Sequence, residues 1–378
     1  MGLIAKAIGL MVALCLCICC SSAALAQQDE HQDIREFLQK LYGARAGLFV
    51  NNDEGLISGY YLDRVGTSKQ AKVMELHRGK YLRTWAERRN LKICSAVPSI
   101  RITQVKEKAG YVRVSLIQSL QLTYKYNEEG SMPQQFGVGT RHSIKLQNNG
   151  EGWFVLSEWY LDPLDENPDL IPVLIQGDKY VPASHKQFPN IPLLGNQLRK
   201  RYNREQAVAY ANKYAGAAWG AGNENRYNRK YRDYTGSGGD CTNFVSQVLG
   251  DKEEGGGIQM RHGWRYAKSA GGSVCWVRTD DFKRFILHSG IGRLVAKGTY
   301  TEMMKTTEKF PQDAFHSLLP GDLIAYELAG DIDHFAVFIG FDDHGYPLVN
   351  CHTADRYRAP FDLGWDKTTR YLLIHIVD

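Results

Sequence analysis

The sequence lacks the patterns that mark metal enzymes, serine hydrolases and disulfide scaffolds. It has no H-E-x-x-H, no G-x-S-x-G, and no Cys-x-x-Cys beyond residue 20. Beyond residue 20 it keeps only four of its eight cysteines, Cys94, Cys241, Cys275 and Cys351, too few for a disulfide framework. The spacing is compatible with a disulfide between Cys275 and Cys351 and equally with two free buried thiols. We expect no metal and no other cofactor.

Charge of one sign and long apolar runs are also scarce. The 46 Lys and Arg residues against 41 Asp and Glu leave a charge of +5, too weak to indicate nucleic-acid binding. A single long apolar run excludes a multi-span membrane protein. The 43% hydrophobic and 23% charged residues are typical of globular proteins, and 378 residues suggest two domains. The composition does not define an oligomeric state.

The first 26 residues are typical of a secretory signal peptide. Lys6 is followed by an apolar run, Ala7 to Cys20, and by the small residues of an A-x-A site ending at Ala26. We expect cleavage after Ala26 and a secreted or cell-wall-associated protein. An uncleaved signal would instead act as a membrane anchor, the only membrane contact that the sequence suggests.

Residues 27–162 indicate an N-terminal α+β domain of unknown role. Apolar spacing predicts helices near 34–42 and over Ser68–Asn90. Alternating patterns and turn signals then predict four strands, Lys92–Val105, Tyr111–Tyr126, Gln135–Leu146 and Trp153–Tyr160. This order of elements resembles the NTF2-like cone. Half of the 12 prolines fall between residues 163 and 192, so residues 163–195 are predicted to be a linker before a domain over 196–378.

The chemistry-bearing residues come after residue 200, beginning with Cys241. It follows a glycine-rich stretch, Gly236–Gly239, and precedes the apolar helical face formed by Phe244, Val245, Val248 and Leu249. Cys241 is therefore predicted to lie in the first turn of a helix, where the helix dipole stabilises a thiolate. Such a position suits a nucleophilic cysteine.

A predicted β-hairpin supplies the partners of this cysteine. His334 opens the apolar strand 334–340, and residues 347–353 form the return strand. Cross-strand neighbours lie about 5 Å apart, so His334 can meet Asn350 or His352, which share a face. Cys351 is expected to point to the opposite face. A thiol, an imidazole base and a polar orienting residue are the parts of a cysteine hydrolase.

With these motifs the sequence resembles the putative amidase domain of bacterial secreted proteins, a relative of NlpC/P60 and CHAP cysteine peptidases. The resemblance covers about residues 202–378. Its motifs are Ala207-Val208-Ala209-Tyr210-Ala211, Gly239-Asp240-Cys241-Thr242-Asn243-Phe244-Val245-Ser246-Gln247, Trp276 with Phe282, Pro320-Gly321-Asp322-Leu323, His334, and His352-Thr353-Ala354-Asp355. It implies an α+β, papain-like fold and cleavage of peptidoglycan or another peptide. It also implies Cys241 as nucleophile, His334 as base and His352 as third residue, with Asn350 as the alternative.

The expected reaction is amide hydrolysis through a thioester on Cys241. The backbone N–H of Cys241 and a second donor near Tyr231 and Tyr234 would hold the oxyanion. Asp240 is expected either to cap the helix, the preferred interpretation, or to contact a substrate amine. Acyl transfer by the same thiol and a catalytically idle wall-binding module are the competing functions. The pattern does not identify the scissile amide.

Overall fold

The computed structural model describes residues 31–164, 167–173, 201–261 and 263–378. The predicted signal peptide, 1–26, and most of the predicted linker, 163–195, therefore lie outside the described residues. Cys94, Cys241, Cys275 and Cys351 are all free thiols, so Cys275 and Cys351 are not bridged. No helix of the described ranges is long and apolar enough to cross a membrane.

The N-terminal region folds as helices followed by a four-stranded antiparallel meander. The helices are α1 (Gln32–Asn51), α2 (Gly55–Ser58) and α3 (Gly66–Arg88). The strands are β1 (Leu91–Lys108), β2 (Tyr111–Tyr126), β3 (Gln134–Asn148) and β4 (Trp153–Tyr160). The bounds of β2 and β4 agree with the sequence prediction, and those of α3, β1 and β3 differ from it by one to three residues.

The C-terminal region is a second set of helices and strands. Its helices are α4 (Arg204–Lys213), α5 (Cys241–Gly250), α6 (Val274–Val277), α7 (Thr279–His288) and α8 (Tyr300–Met304). Its strands are β5 (Tyr266–Ala267), β6 (Gly271–Gly272), β7 (Gly292–Thr299), β8 (Leu323–Leu328), β9 (Asp331–Phe341), β10 (Pro347–Cys351), β11 (Asp355–Pro360) and β12 (Arg370–Ile376).

One antiparallel sheet joins the two regions. Its strand order is β1-β2-β3-β11-β10-β9-β8-β12-β7, with β4 also pairing with β3. Asp355 of β11 lies opposite Gly139 of β3, and Tyr357 lies opposite Gly137. An added Cβ would lie 1.9 Å from the Trp219 carbonyl oxygen at Gly137 and 2.4 Å from the carbonyl carbon of Ala217 at Gly139. Glycine therefore lets β3 contact the backbone of residues 217–219 directly.

Apolar side chains cover both faces of the C-terminal strands. On one face α5 packs its apolar stripe, including Phe244 and Val248, against Phe335 and Val337 of β9. The opposite face of the same strands carries a second cluster, formed around Tyr326, Phe338 and Phe361. Alternate residues of β9 thus belong to different cores, as the two-residue period of a strand requires.

A buried polar cluster around Asp362 also ties the C-terminal region to α3. The Asp362 carboxylate pairs with the Arg89 guanidinium at 2.6 Å and accepts a hydrogen bond from Trp85 Nε1 at 3.0 Å. Tyr346 donates its hydroxyl to the other carboxylate oxygen at 2.8 Å. All four side chains are buried. The N-terminal helices therefore contribute to the same interior as the C-terminal strands.

Helices with mainly antiparallel sheet confirm the α+β class. The papain-like and NTF2-like assignments stay predictions, as do the domain boundaries. Helix α4 ends at Lys213, and a turn follows it. Residues 217–219 of the segment after it pack against Gly137 and Gly139.

Candidate active site

Cys241 begins α5, as the sequence predicts, and its side chain is only 7% exposed. The backbone N–H groups of Phe335 and Thr242 face the sulfur and favour its anionic form. The Thr242 hydroxyl lies 3.8 Å from Sγ. Cys241 is thus held between the start of α5 and the part of β9 that follows His334.

The thiol is not, however, the pre-formed thiolate that its helix position suggested. Burial is the largest influence on Cys241 and raises its pKa, more than the surrounding N–H groups lower it. The expectation of a depressed pKa is therefore wrong for this closed arrangement. The dipole of a ten-residue helix acts on a sulfur removed from water, and removal from water disfavours any charge.

Asp240 occupies the position before the helix but does not cap it. Its side chain makes no capping hydrogen bond, so the preferred prediction is wrong. Oδ1 instead accepts from the N–H of Tyr234 at 2.8 Å and from the Asn243 amide at 2.9 Å. The Asp240 N–H donates to Thr353 Oγ1 at 2.5 Å. Asp240 is buried, and these contacts fix the backbone directly before Cys241.

His352 completes this buried cluster. Its Nδ1 lies 2.6 Å from Asp240 Oδ2, and its Nε2 lies 2.6 Å from the carbonyl oxygen of Tyr214. A carbonyl only accepts hydrogen bonds, so Nε2 carries a proton and donates to Tyr214. The short Nδ1–Oδ2 contact holds a second proton between His352 and Asp240, so both ring nitrogens of His352 are engaged. The ring lies between Tyr227 at 3.7 Å and Phe244 at 4.0 Å.

His334 has a different environment. Its ring packs against Tyr326 and Trp365, at centroid distances of 5.5 and 5.6 Å, and its Nε2 has no hydrogen-bond partner. Burial, with contributions from the positive charges of Arg356 and His352, lowers the pKa of His334 to about 3. His334 is therefore a neutral imidazole. Within the described residues, no hydrogen bond joins its ring to the Cys241 sulfur.

The two candidates for the orienting residue are both engaged elsewhere. Asn350 donates from Nδ2 to Asn212 at 2.9 Å and accepts at Oδ1 from the Arg358 N–H at 2.6 Å. It pairs with Val337 rather than with His334. With both ring nitrogens of His352 occupied, neither candidate hydrogen-bonds to His334 in this arrangement. Cys351 lies in the cluster of the opposite sheet face, as predicted.

Tyr231 and Tyr234 form hydrogen bonds that hold the segments around the start of α5. Tyr231 is buried and donates its hydroxyl to Asp251 at 2.7 Å. The Tyr234 hydroxyl accepts from the Gly272 N–H at 2.9 Å, while its own N–H is bound to Asp240. Among the described hydrogen bonds, neither tyrosine side chain donates to an atom of Cys241. Their role in binding the oxyanion therefore stays a prediction.

The sequence analysis assigns no catalytic role to Tyr227, Thr353, Asp355 or Arg356. The structure places all four around the candidate site. Asp355 accepts from the Tyr227 hydroxyl at 2.5 Å and from the Ala217 N–H at 2.7 Å. A polar run, 352–356, follows an apolar strand, and this pattern could have indicated Thr353, Asp355 and Arg356 from the sequence. No sequence pattern indicated that Tyr227 stacks on His352, because that contact depends on the fold.

Comparisons with known proteins agree with the C-terminal resemblance. The chain is 30% identical over 190 residues to the uncharacterized protein YhbB of Bacillus subtilis (strain 168), an alignment that covers 47% of this chain. The chain spans about half, 51%, of the length of that relative.

A solved structure, the intermembrane space region of the chloroplast protein ARC6, is similar at a TM-score of 0.25 and 9% identity. That match covers 35% of this chain and 95% of the other, and a score this low supports no argument about fold. A family described as "Putative amidase domain" matches residues 201–374, and that description indicates a hydrolase of amide bonds. Residues 201–374 are therefore similar to the putative amidase domain family, which confirms the resemblance predicted from the sequence.

Proposed function

We propose that this protein is a secreted cysteine amidase or peptidase that hydrolyses amide bonds of bacterial cell-wall peptidoglycan. Cys241 is the nucleophile and His334 the general base. The observation that carries the proposal is the setting of the sulfur. It lies at a helix start and faces the N–H of Phe335. The preceding residue, His334, carries a neutral, unpartnered imidazole that packs on the opposite sheet face against Tyr326 and Trp365.

A neutral thiol and a neutral imidazole favour general-base activation over a resting ion pair. As Cys241 attacks the amide carbonyl, its proton passes to His334, and a C–S bond forms. The C–N bond then breaks, and protonated His334 gives its proton to the leaving amine. Water attacks the thioester with His334 as base, which releases the carboxylate and regenerates the thiol. Catalytic contacts are often long without substrate, so we expect substrate binding to bring the two groups together.

The start of α5 supplies the oxyanion site. The first four N–H groups of a helix have no partner within the helix, and the N–H of Cys241 is one of them. Removing one such donor typically costs about 3 kcal/mol of transition-state stabilisation. The Asp240 cluster supports this geometry because it fixes the peptide unit that precedes Cys241.

The substrate class follows from the family and from the predicted export signal. The family description indicates amide hydrolysis, and the N-terminal pattern directs the chain out of the cytoplasm, where peptidoglycan is the abundant amide polymer of a bacterium. The cleaved bond could lie within the stem peptide or between muramic acid and alanine.

The experiment is mass spectrometry of purified peptidoglycan digested by wild type, Cys241→Ala and Cys275→Ala. Cys275→Ala is the control because it removes a partly buried thiol of the same region. We expect cleavage by wild type and by the control, and none by Cys241→Ala. Cleavage by Cys241→Ala would refute the proposal. Repeating the digestion with an added amine distinguishes hydrolysis from acyl transfer, because transfer would attach that amine to the newly released acyl group.

A further inference from the structure

We infer that Arg141, on β3 and outside the amidase-family match, is a positioning residue for the Cys241 nucleophile. The inference rests on the proposed function and extends it to the N-terminal region, whose role the sequence leaves open. It follows from a chain of contacts that begins at Arg141 and ends at the peptide unit before Cys241.

The first contact crosses the junction between β3 and β11. Arg141 Nη1 lies 3.1 Å from Asp355 Oδ2, and the Asp355 side chain is fully buried. The Arg141 guanidinium also lies over the Tyr227 ring, 4.8 Å from its centroid. Asp355 lies opposite Gly139, so the pairing of β3 with β11 brings Arg141 to this carboxylate. The N-terminal region thus supplies a cation to a carboxylate of the C-terminal region.

The second contact joins Asp355 to His352 through Tyr227. The Tyr227 hydroxyl donates to Asp355 Oδ1 at 2.5 Å, and the Tyr227 ring stacks on His352 at 3.7 Å with an interplanar angle of 10°. The Tyr227 ring therefore contacts both the Arg141 guanidinium and the His352 ring. Cations are attracted to aromatic faces, and the attraction is largest where water is excluded. Loss of Arg141 would remove the cation from both Asp355 and this ring, and would leave Asp355 held by the Tyr227 hydroxyl and the Ala217 N–H alone.

The third contact reaches the nucleophile. His352 Nδ1 holds Asp240 Oδ2 at 2.6 Å, and Asp240 is covalently joined to Cys241. The other oxygen of Asp240 holds the Tyr234 N–H at 2.8 Å. A shift of the His352 ring would therefore move the peptide unit that carries the Cys241 N–H. Misplacement by about 1 Å from a distant substitution can cost about 100-fold in rate.

The test compares four variants of the full chain: Arg141→Met, Arg141→Lys, Tyr227→Phe and Lys145→Met. Lys145 is the matched control, because it also lies on β3, with its ammonium 5.3 Å from the Tyr111 ring centroid and away from the site. Arg141→Lys keeps the charge, and Tyr227→Phe keeps the stacking on His352 but removes the hydrogen bond to Asp355.

For Arg141→Met we expect kcat on peptidoglycan to fall about 10- to 100-fold, with KM changed less than about twofold. Arg141→Lys should recover part of kcat, and Lys145→Met should match wild type. Tyr227→Phe should lower kcat less, and combined with Arg141→Met it should add little further loss, since both act through Asp355. Equal kcat in Arg141→Met and wild type, or an equal loss in Lys145→Met, would overturn the inference.

A second readout separates this inference from the proposed function. The pH dependence of iodoacetamide labelling of Cys241 needs no substrate. We expect its midpoint to shift in Arg141→Met and to stay unchanged in Lys145→Met. If no variant cleaves peptidoglycan but the shift is present, the proposed function fails and the positioning role stands. If wild type cleaves and neither kcat nor the midpoint responds to Arg141→Met, the positioning role fails alone.

Discussion

The imidazole of His352 holds the carboxylate of Asp240 at 2.6 Å, with both side chains almost completely buried. Because Asp240 directly precedes Cys241, this contact positions the start of α5. The family resemblance implied that His352 orients His334. The structure instead has His352 engaged at both ring nitrogens, with Asp240 and with the Tyr214 carbonyl.

Asp240→Asn tests this positioning role. The substitution replaces one carboxylate oxygen of this buried cluster with an amide group, so the peptide unit before Cys241 loses part of the set of contacts that fixes its orientation. We expect kcat to fall about 10- to 100-fold with a smaller change in KM. The measurement is steady-state hydrolysis of a soluble peptidoglycan fragment. Asp313→Asn, at another buried carboxylate that binds backbone N–H groups, should leave kcat near wild type, and a wild-type kcat for Asp240→Asn would contradict this role.

The pH dependence of kcat/KM tests the protonation state of His334. Its pKa is lowered to about 3, so the neutral base form persists far below the pH at which an ordinary histidine takes up a proton. Activity should therefore be lost on acidification only below about pH 5. An acidic limb centred near the ordinary histidine value, about 6.5, would show that His334 is not buried in the working enzyme.

Arg356→Met provides a charge control for that profile. Arg356 lowers the pKa of His334, so its removal should move the acidic limb to higher pH. Arg358→Met, an exposed position two residues along β11, should leave the limb unchanged. Identical profiles for wild type and Arg356→Met would contradict the account of the His334 environment.

The Asp362 cluster predicts a large effect on stability. Asp362→Ala leaves the Arg89 guanidinium buried without its carboxylate, which typically costs about 3–5 kcal/mol. Asp63→Ala removes an ion pair with Lys72 at 3.0 Å, in which the Asp63 side chain is 64% exposed, and should cost less than about 1 kcal/mol. Urea unfolding measures both free energies. Equal losses would contradict a buried pair between α3 and the C-terminal region.

The contact of β3 with the loop before the site predicts intolerance at Gly139. A Cβ there would overlap the backbone of Ala217 and Ala218, so Gly139→Ala must separate β3 from that loop or displace it. We expect a destabilisation of about 1–3 kcal/mol in thermal or urea unfolding, with reduced kcat. At Gly152 nothing lies within 4 Å of an added Cβ, so Gly152→Ala should have little effect. Similar stability of the two variants would contradict the close packing.

The local elements were predictable because their signals are local. Alternating residues and turn sequences defined β2 and β4, and the apolar stripe after Gly239 placed Cys241 at a helix start. The cross-sheet junction was not predictable, since the pairing of Asp355 with Gly139 joins residues more than 200 positions apart and has no periodic signal.

The polar contacts of the site were harder to predict than its members. Strand alternation correctly separated Cys351 from His352, because it depends only on chain direction. The partners of Asp240 and His352 depend on how the loop 214–234 folds over α5. The same holds for the Cys241 pKa, because the helix position indicated a lower value while burial, which the sequence does not show, raised it.

Trapping the acyl-enzyme tests the central claim most directly. Wild type and His334→Ala are mixed with a peptidoglycan fragment, quenched in acid, and analysed by tandem mass spectrometry of the peptide that contains Cys241. The account predicts an acyl group on the Cys241 sulfur of wild type that hydroxylamine removes, and little or none in His334→Ala. Amide cleavage without any acylated Cys241, or an acyl group on another residue, would contradict it.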